Sequence, residues 1–147
     1  MLKEEIQKTM IVKYKEGNKN ATDALRFVLS EIKYAEINKK SELNDIEIAT
    51  LLQKEIKKRK EAIDMFRKGN REDLVSKENE QLVEIEKFAP KEISDAELSD
   101  IIDEETRGMS GVSNMGRIMG LVMARVKGRA DGVKVANMVR QRLQAKN

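Results

Sequence analysis

The chain has 147 residues, of which 37% are charged and 39% hydrophobic, and its formal net charge is +3. It contains no cysteine and no histidine, which excludes disulfides, thiolate metal sites and the commonest acid–base catalyst at neutral pH. One proline and eight glycines are too few breakers for an all-β architecture. The composition therefore predicts an all-α protein and gives no reason to expect a cofactor, a metal or a catalytic residue.

Membrane insertion and secretion are not expected from the sequence. No apolar run approaches the roughly 18 residues of a membrane-spanning helix. The N-terminus, MLKEEIQK, carries acids where a signal peptide has its apolar segment. We therefore expect a cytoplasmic protein with no membrane contact.

Four helices are predicted in the first part of the chain. The first runs from about residue 2 to 16, and Thr22 is expected to cap a second that continues to about residue 38. Asn44 and Glu47 form a capping box ahead of a long third helix, and Gly69 suits the position after its end. Asn70 is expected to cap the fourth helix.

Apolar stripes of helical period predict which faces of these helices are buried. In the third helix Arg59 occupies a position of the stripe where an apolar residue is missing. The predicted core residues are Leu2, Ile6, Leu25, Val28, Leu29, Ile32, Ala35, Ala49, Leu52, Ile56, Ile63, Phe66, Leu74, Leu82, Ile85 and Ala89.

Pro90 ends the fourth helix and marks the best domain boundary. We predict an N-terminal helical domain of about four helices over residues 1–90 and a C-terminal three-helix domain over 91–147. In the second domain Ser94 and Glu97 form another capping box, for a helix near 95–107. A loop over 108–113 precedes a sixth helix over about 114–127, and Asp131 caps a seventh that ends near 145.

Charge is distributed unevenly along the chain. Residues 1–106 hold 25 acidic and 20 basic residues, a net charge of −5, whereas residues 107–147 hold one acid and nine bases, a net charge of +8. A positive surface of this kind attracts phosphates in a salt-dependent manner. The nine bases are Arg107, Arg117, Arg125, Lys127, Arg129, Lys134, Arg140, Arg142 and Lys146.

An acidic stretch just before these bases offers an alternative. Its members, which can form ion pairs with the bases inside the bundle, are Asp95, Glu97, Asp100, Asp103, Glu104 and Glu105. Six acids cannot neutralise nine bases, so we expect some positive surface to remain. We predict phosphate contacts at six of the bases, namely Arg117, Arg125, Lys127, Arg129, Lys134 and Arg140.

Glycines punctuate this basic region and are expected to shape its surface. Gly116 and Gly120 lie on one helix face, where they either admit a neighbouring helix or open the surface to a bulky backbone such as RNA. Gly128 and Gly132 bracket Asp131 in a turn, which is either a plain interhelical connection or a corner whose backbone N–H groups face a phosphate.

Methionines give the sixth helix an apolar stripe. Met115, Met119 and Met123 lie beside Ile118 and Val122 at helical spacing. We interpret the stripe as core, with an adaptable groove for a protein partner as the alternative.

Two segments that suggest nucleotide binding or catalysis lack residues that these functions require. Residues 111–118 superficially match a phosphate loop, but Arg117 replaces the lysine, Ile118 replaces the hydroxyl that binds magnesium, and no strand precedes them. Ser110 and Ser113 have no histidine to activate them. The C-terminal third also has no aromatic residue on which an RNA base could stack, so any RNA bound there is held by its backbone and shape.

Several segments resemble the GatB/YqeY family, and specifically the small stand-alone YqeY-like proteins. The resemblance covers essentially the whole chain. The residues that carry it are Ala24-Leu25-Arg26, Ile32-Lys33, Ala35-Glu36-Ile37, residues 52–59, residues 86–91, residues 115–120 and residues 127–132.

The resemblance implies a helical N-terminal domain, a three-helix C-terminal domain, and kinship with the tail of the B subunit of the tRNA-dependent amidotransferase. That enzyme is a carbon–nitrogen ligase with glutamine as amido donor, and its tail contacts tRNA without doing chemistry. We therefore expect a non-catalytic module that binds tRNA or another folded RNA. The alternative is an accessory protein that docks on an amidotransferase or an aminoacyl-tRNA synthetase.

Overall fold

The computed structural model describes residues 1–145, apart from the side chain of Val112. Those residues form seven α-helices and no strand, which confirms the all-α prediction. None of these helices is long and apolar enough to cross a membrane. The chain packs as two compact units, one from Met1 to Pro90 and one from Lys91 onward.

The N-terminal unit contains four helices. They are α1 (Leu2–Lys15), α2 (Lys19–Lys39), α3 (Asp45–Lys68) and α4 (Glu72–Glu86). Their aliphatic faces enclose one core, as the apolar periodicity predicts, except that Val75 rather than Leu74 is the buried residue at the start of α4. Its fully buried side chains include Ile6, Leu25, Ile32, Ile48, Leu52 and Ile85.

Two of the predicted caps in this unit differ from the structure, and the first is at α2. The second helix begins at Lys19 because the Asn18 side chain accepts the backbone N–H of Ala21 at 3.1 Å. Thr22 lies inside the helix, where its hydroxyl donates to the Asn18 carbonyl. The box at Asn44 and Glu47 is confirmed, since its two reciprocal bonds measure 2.8 and 2.9 Å.

The turn between α3 and α4 also departs from prediction. Gly69 keeps a negative φ of −86°, and Asn70 adopts the left-handed conformation with φ +56°. Because Asn70 is used for that turn, the N-cap of α4 is Arg71, whose side chain makes no capping bond. The fourth helix then ends at Glu86, before Pro90.

Arg59 is buried in the α3 stripe, as its position predicts, with 8% of its surface exposed. Its guanidinium donates to Glu55 at 2.8 Å, to Gln81 at 2.6 Å and to Glu78 at 3.2 Å. It also lies 5.4 Å from the centre of the Phe27 ring. A charge can be buried here because the guanidinium meets acceptors and an aromatic face.

The C-terminal unit contains α5 (Asp95–Thr106), a single 3-10 turn (Val112–Asn114), α6 (Met115–Val126) and α7 (Gly132–Ala145). Its core is aliphatic and is formed by one face of each helix. The buried residues include Leu98, Ile102, Ile118, Val122, Val126, Val135, Val139 and Leu143.

Short-range capping sets the boundaries of these helices. The Ser94 hydroxyl accepts the backbone N–H of Glu97 at 3.1 Å and caps α5, as predicted. The reciprocal bond of the predicted capping box is not formed, since the Glu97 carboxylate pairs with Arg129 instead. The α6–α7 turn is made by Lys127 and Gly128, which both adopt positive φ angles. The Asp131 carboxylate then accepts the N–H of Val133 at 3.3 Å and begins α7, as predicted.

Candidate nucleic-acid interface

The acidic helix α5 forms ion pairs with bases from α6, α7 and the turn between them. Arg125, near the end of α6, contacts Glu104 at 2.7 Å and Glu105 at 3.1 Å. Hydrogen bonds from Arg125 to these two carboxylates, Glu104 first, raise the pKa of Arg125 above its usual range. At Arg125 the alternative prediction is therefore confirmed, since this base forms ion pairs with the acidic stretch inside the bundle.

Two more of the predicted phosphate contacts are paired in the same way. Arg129 lies 3.3 Å from the Glu97 carboxylate and donates to the Lys91 carbonyl at 3.1 Å. Lys134 forms an ion pair with Asp95, and this hydrogen bond raises the pKa of Lys134. These contacts tie the start of α7 and the turn before it to the start of α5.

Arg142, which lies outside the predicted set of six, closes the other end of the α5–α7 contact. Its guanidinium pairs with Asp103 and donates to the Ser99 hydroxyl at 2.9 Å. Because α5 and α7 pair start to start and end to end, they run in the same direction. Acidic side chains at both ends of α5 therefore neutralise basic side chains at the corresponding ends of α7.

The other three predicted residues, Arg117, Lys127 and Arg140, are exposed. Within residues 1–145 none of them has an ion-pair partner, and Arg140 only donates to the Asn137 amide oxygen at 3.2 Å. Arg107, at the C-cap of α5, is a fourth exposed base of this kind. Lys146 lies outside the described residues.

Two of these cations lie at one end of the bundle. The backbone N–H of Gly111, just before the 3-10 turn, donates to the carbonyl of Leu143 in the last turn of α7 at 3.5 Å. This contact brings the start of α6, which carries Arg117, to the end of α7, which carries Arg140. Lys127 lies at the opposite end of α6, in the left-handed C-cap position.

Gly116 and Gly120 lie on the solvent face of α6. A methyl group added to either glycine would meet no atom within 4 Å among the described residues. Within the described chain these glycines therefore do not serve helix packing, and the packing interpretation is wrong. Arg117 and Leu121 share this exposed face, and its glycines leave the helix backbone open to a close approach.

The other two glycines belong to the turn. Gly128 has a φ of +77°, which favours glycine over any other residue. A methyl group on Gly132 would lie 3.9 Å from the Met123 side chain, which is an ordinary contact. The turn at 128–132 is therefore shaped mainly by Gly128 and the Asp131 cap.

The methionines of α6 belong to the core, as the stripe predicts. Met115, Met119 and Met123 are partly buried and pack against the aliphatic cluster, as do Met109 and Met138. The segment 111–118 forms the 3-10 turn and the first turn of α6. The side chain of Asn114 donates to the Ser110 carbonyl at 3.1 Å and does not cap the helix.

Comparison with known families places this helical chain in one class of protein. A family model described as Yqey-like protein covers residues 3–143. The chain therefore belongs to the YqeY-like family, as its sequence segments indicate.

Two curated relatives support this assignment. An uncharacterised protein of Schizosaccharomyces pombe is 38% identical over 89 residues, which is 60% of this chain and 72% of the relative. The protein of Pyrenophora tritici-repentis called altered inheritance of mitochondria protein 41, mitochondrial, is 32% identical over 133 residues, which is 88% of this chain and 74% of the relative.

Proposed function

We propose that this protein is a non-catalytic helical module that binds folded RNA through the exposed cations of its C-terminal unit. The observation that carries the proposal is the positive charge that remains after α5 has taken its partners. Arg117, Lys127 and Arg140 remain exposed and without an ion pair in the described part of the chain. Unpaired cations of this kind gain most from phosphate contacts, because no internal acid has to be displaced.

The shape of α6 supports a ligand with a bulky backbone. Gly116 and Gly120 leave part of the exposed face of the helix without side chains, and Arg117 lies between them in sequence. A sugar–phosphate chain can approach such a face closely while arginine contacts its phosphates. Since the unit carries no aromatic residue, contacts to backbone and shape suit it better than base stacking.

Arg125, Arg129 and Lys134 have a smaller part in this proposal. Each already pairs with a carboxylate of α5, so an RNA phosphate would have to replace an existing partner. They can still add to the long-range attraction of the surface. We expect their removal to weaken binding less than removal of Arg117 or Arg140.

By kinship with the amidotransferase tail, we propose tRNA as the RNA and tRNA-dependent amidation as the process that the module serves. The Pyrenophora relative carries the word mitochondrial in its name. For this chain we propose the cytoplasm, and imaging of a fluorescent fusion checks the location.

A titration of labelled total tRNA at about 50 and 200 mM salt tests the proposal, since phosphate contacts weaken steeply over that range. The test variant is Arg117→Glu/Arg140→Glu. The matched control is Lys60→Glu/Lys77→Glu, which makes the same charge change at two exposed lysines of α3 and α4. We expect tight, salt-sensitive binding by the wild type and the control. In the test variant the log–log salt slope should fall by about 0.9 for each duplex-like phosphate contact that is removed.

Lys127→Glu/Arg129→Glu, at the α6–α7 turn, is the third variant. If only this pair abolishes binding, the turn is the contact and the bundle end is not. Absence of tRNA binding by the wild type, or equal loss in the control, contradicts the RNA-binding proposal. The next experiment is then a pull-down with purified amidotransferase and aminoacyl-tRNA synthetases.

A further inference from the structure

Three of the five aromatic residues of the chain are exposed on the N-terminal unit. Tyr34 is 71% exposed, Tyr14 62% and Phe27 44%. All three lie on α1 or α2. Exposed rings of this size lose the benefit of burial, so a surface that carries three of them is a candidate for recognition.

The exposed face of α2 alternates cations with these rings. Arg26 is followed by Phe27, and seven residues later Lys33 is followed by Tyr34. Seven residues are about two helical turns, or roughly 10.5 Å along the axis, so the two cation–aromatic pairs repeat on one side of the helix. Arg26 and Lys33 are both exposed, and neither has an acidic partner among the described residues.

The cations of α2 lie along an open groove. Between α1 and α2 the groove has a volume of about 570 Å³, and Arg26, Lys33, Ser30 and Gln7 are among its lining residues. Its one carboxylate, Glu36, is held by Lys3 at 2.7 Å. Arg26 also lies 5.2 Å from the centre of the Tyr14 ring, a cation–π distance, and these two residues line a neighbouring groove together.

Tyr34 borders a second groove, between α2 and α3, whose volume is about 370 Å³. Lys54 and Lys58 line this groove beside the tyrosine. Of its three carboxylates, Glu47 pairs with Lys39 and Glu55 pairs with Arg59, which leaves Glu31 as the acid opposed to the two lysines. The ring thus lies between cations on both sides.

We propose that this face of α2 binds an unpaired stretch of RNA, with bases stacked on Tyr34 and Phe27 and phosphates beside Arg26 and Lys33. Stacking on exposed rings with flanking cations is the general chemistry of single-strand binding, because each base has a π-face and each nucleotide has a phosphate. A purely apolar partner would gain nothing from the two unpaired cations. The inference extends the RNA-binding proposal to a second surface and rests on it only for the choice of RNA as the nucleic acid.

The test is fluorescence anisotropy of the full chain with a labelled single-stranded 12-mer of uridine or adenosine. Tyr34→Ala removes the most exposed ring. Met65→Ala is the matched control, because Met65 is 72% exposed on α3 and loses a similar apolar surface without a π-face. We expect Tyr34→Ala to weaken oligonucleotide binding about five- to 150-fold, Met65→Ala to have no effect, and Tyr34→Trp to restore binding.

The two charges are tested separately by Arg26→Ala/Lys33→Ala. We expect the salt slope for the oligonucleotide to fall by about 0.7 for each phosphate that is no longer neutralised, the value for single strands. The C-terminal variant Arg117→Glu/Arg140→Glu is expected to bind the oligonucleotide like the wild type. Loss of oligonucleotide binding only in the C-terminal variant would overturn the α2 proposal and leave the function proposal intact.

Three other outcomes also overturn the inference. They are no measurable binding of the oligonucleotide by the wild type, equal weakening by Tyr34→Ala and Met65→Ala, and self-association in analytical ultracentrifugation that Tyr34→Ala abolishes. The last outcome would show that the rings serve a contact between copies of the chain. Salt-sensitive tRNA binding that survives in Tyr34→Ala separates the two surfaces.

Discussion

The two units differ in whether charged side chains lie inside the core. The N-terminal unit buries Arg59 among Glu55, Glu78 and Gln81, whereas the described buried residues of the C-terminal unit are aliphatic apart from Thr106 and the turn residue Gly128. In the C-terminal unit the ion pairs lie around the core, between α5 and the helices that follow it. The first unit therefore holds a charged cluster inside its packing in addition to ion pairs nearer its surface, such as Lys3–Glu36. Among the described residues of the second unit, charge joins helices that are already packed by their apolar faces.

This difference changes how net charge is interpreted. Residues 107–147 carry a net charge of +8, but the compact unit from Lys91 onward includes eight acids against ten bases, which leaves +2. Proximity in the fold, rather than position along the chain, decides which bases stay free. Among the described residues of this unit, the exposed bases without an ion pair include Arg107, Arg117, Lys127 and Arg140.

The largest effect on the unfolding free energy is expected at Arg59, whose burial is the clearest difference between the two units. Arg59→Met removes the cation and leaves Glu55 and Glu78 in a site that is largely closed to water. Removing one partner of a buried ion pair costs about 3–5 kcal/mol, and we expect a loss of that size in the unfolding free energy of the N-terminal unit. Urea unfolding followed by circular dichroism measures it.

The control for this prediction is Arg67→Met on the same helix. Arg67 pairs with Asp64 at 3.8 Å, and both side chains are more than half exposed. Exposed pairs contribute about 0–1 kcal/mol, so the control should unfold nearly as the wild type does. Equal destabilisation by both variants would show that the buried cluster has no special part in the N-terminal unit.

A smaller change in the unfolding free energy, this time a gain in stability, is expected from a substitution at Gly120. Gly120→Ala adds a methyl group in open space within α6, so it should stabilise the helix by about 0.5–1 kcal/mol. If RNA backbone approaches this face, the same methyl group should weaken tRNA binding. A thermal melt and a tRNA titration on one sample measure both quantities.

Ser76→Ala is the matched control for Gly120. Ser76 is exposed within α4, on the other unit, and alanine there also favours the helix. We expect a modest gain in stability with unchanged tRNA affinity. Unchanged affinity in Gly120→Ala as well would remove the exposed α6 face from the RNA contact and leave only its charged neighbours.

Much of the helical framework could be predicted from the sequence, because the apolar stripes and the caps are local. The box at Asn44 depends on residues three positions apart, and Arg59 lies in its stripe at a fixed angle to Ile56 and Ile63. The cap predicted at Thr22 was wrong because Asn18 offers a competing cap four residues earlier. The cap predicted at Asn70 was wrong because its side chain suits a left-handed turn as well as a cap.

The candidate site was harder to predict because it depends on which helix faces which. Gly116 lies about 200° around the helix from Ile118 at 100° per residue, so it faces away from the core. Helical periodicity alone therefore argues against a packing role for this glycine. The pairing of Arg125 with Glu104, in contrast, needs the position of α5 against α6, which no local pattern contains.

The smallest effect is expected in the pH dependence of stability, through two carboxyl groups of the N-terminal unit. The hydrogen bond from Lys3, followed by the backbone N–H of Leu43, lowers the pKa of Glu36. The hydrogen bonds from Lys39 and then Asn44 lower the pKa of Glu47 in the same direction. A carboxyl group whose folded pKa is lowered stabilises the fold above its unfolded pKa, and that contribution is lost as the pH falls through the folded value.

Glu36→Gln/Glu47→Gln should therefore be less stable than the wild type at pH 7 and should approach it in stability below about pH 4.3, the unfolded glutamate value. Urea unfolding at pH 7, 5, 4 and 3 measures this convergence. Glu61→Gln, at an exposed glutamate of α3, is the control and should follow the wild type at each pH. A constant difference between the double variant and the wild type across that range would mean that both carboxylates act through shape alone, since only their ionisation can make the difference depend on pH.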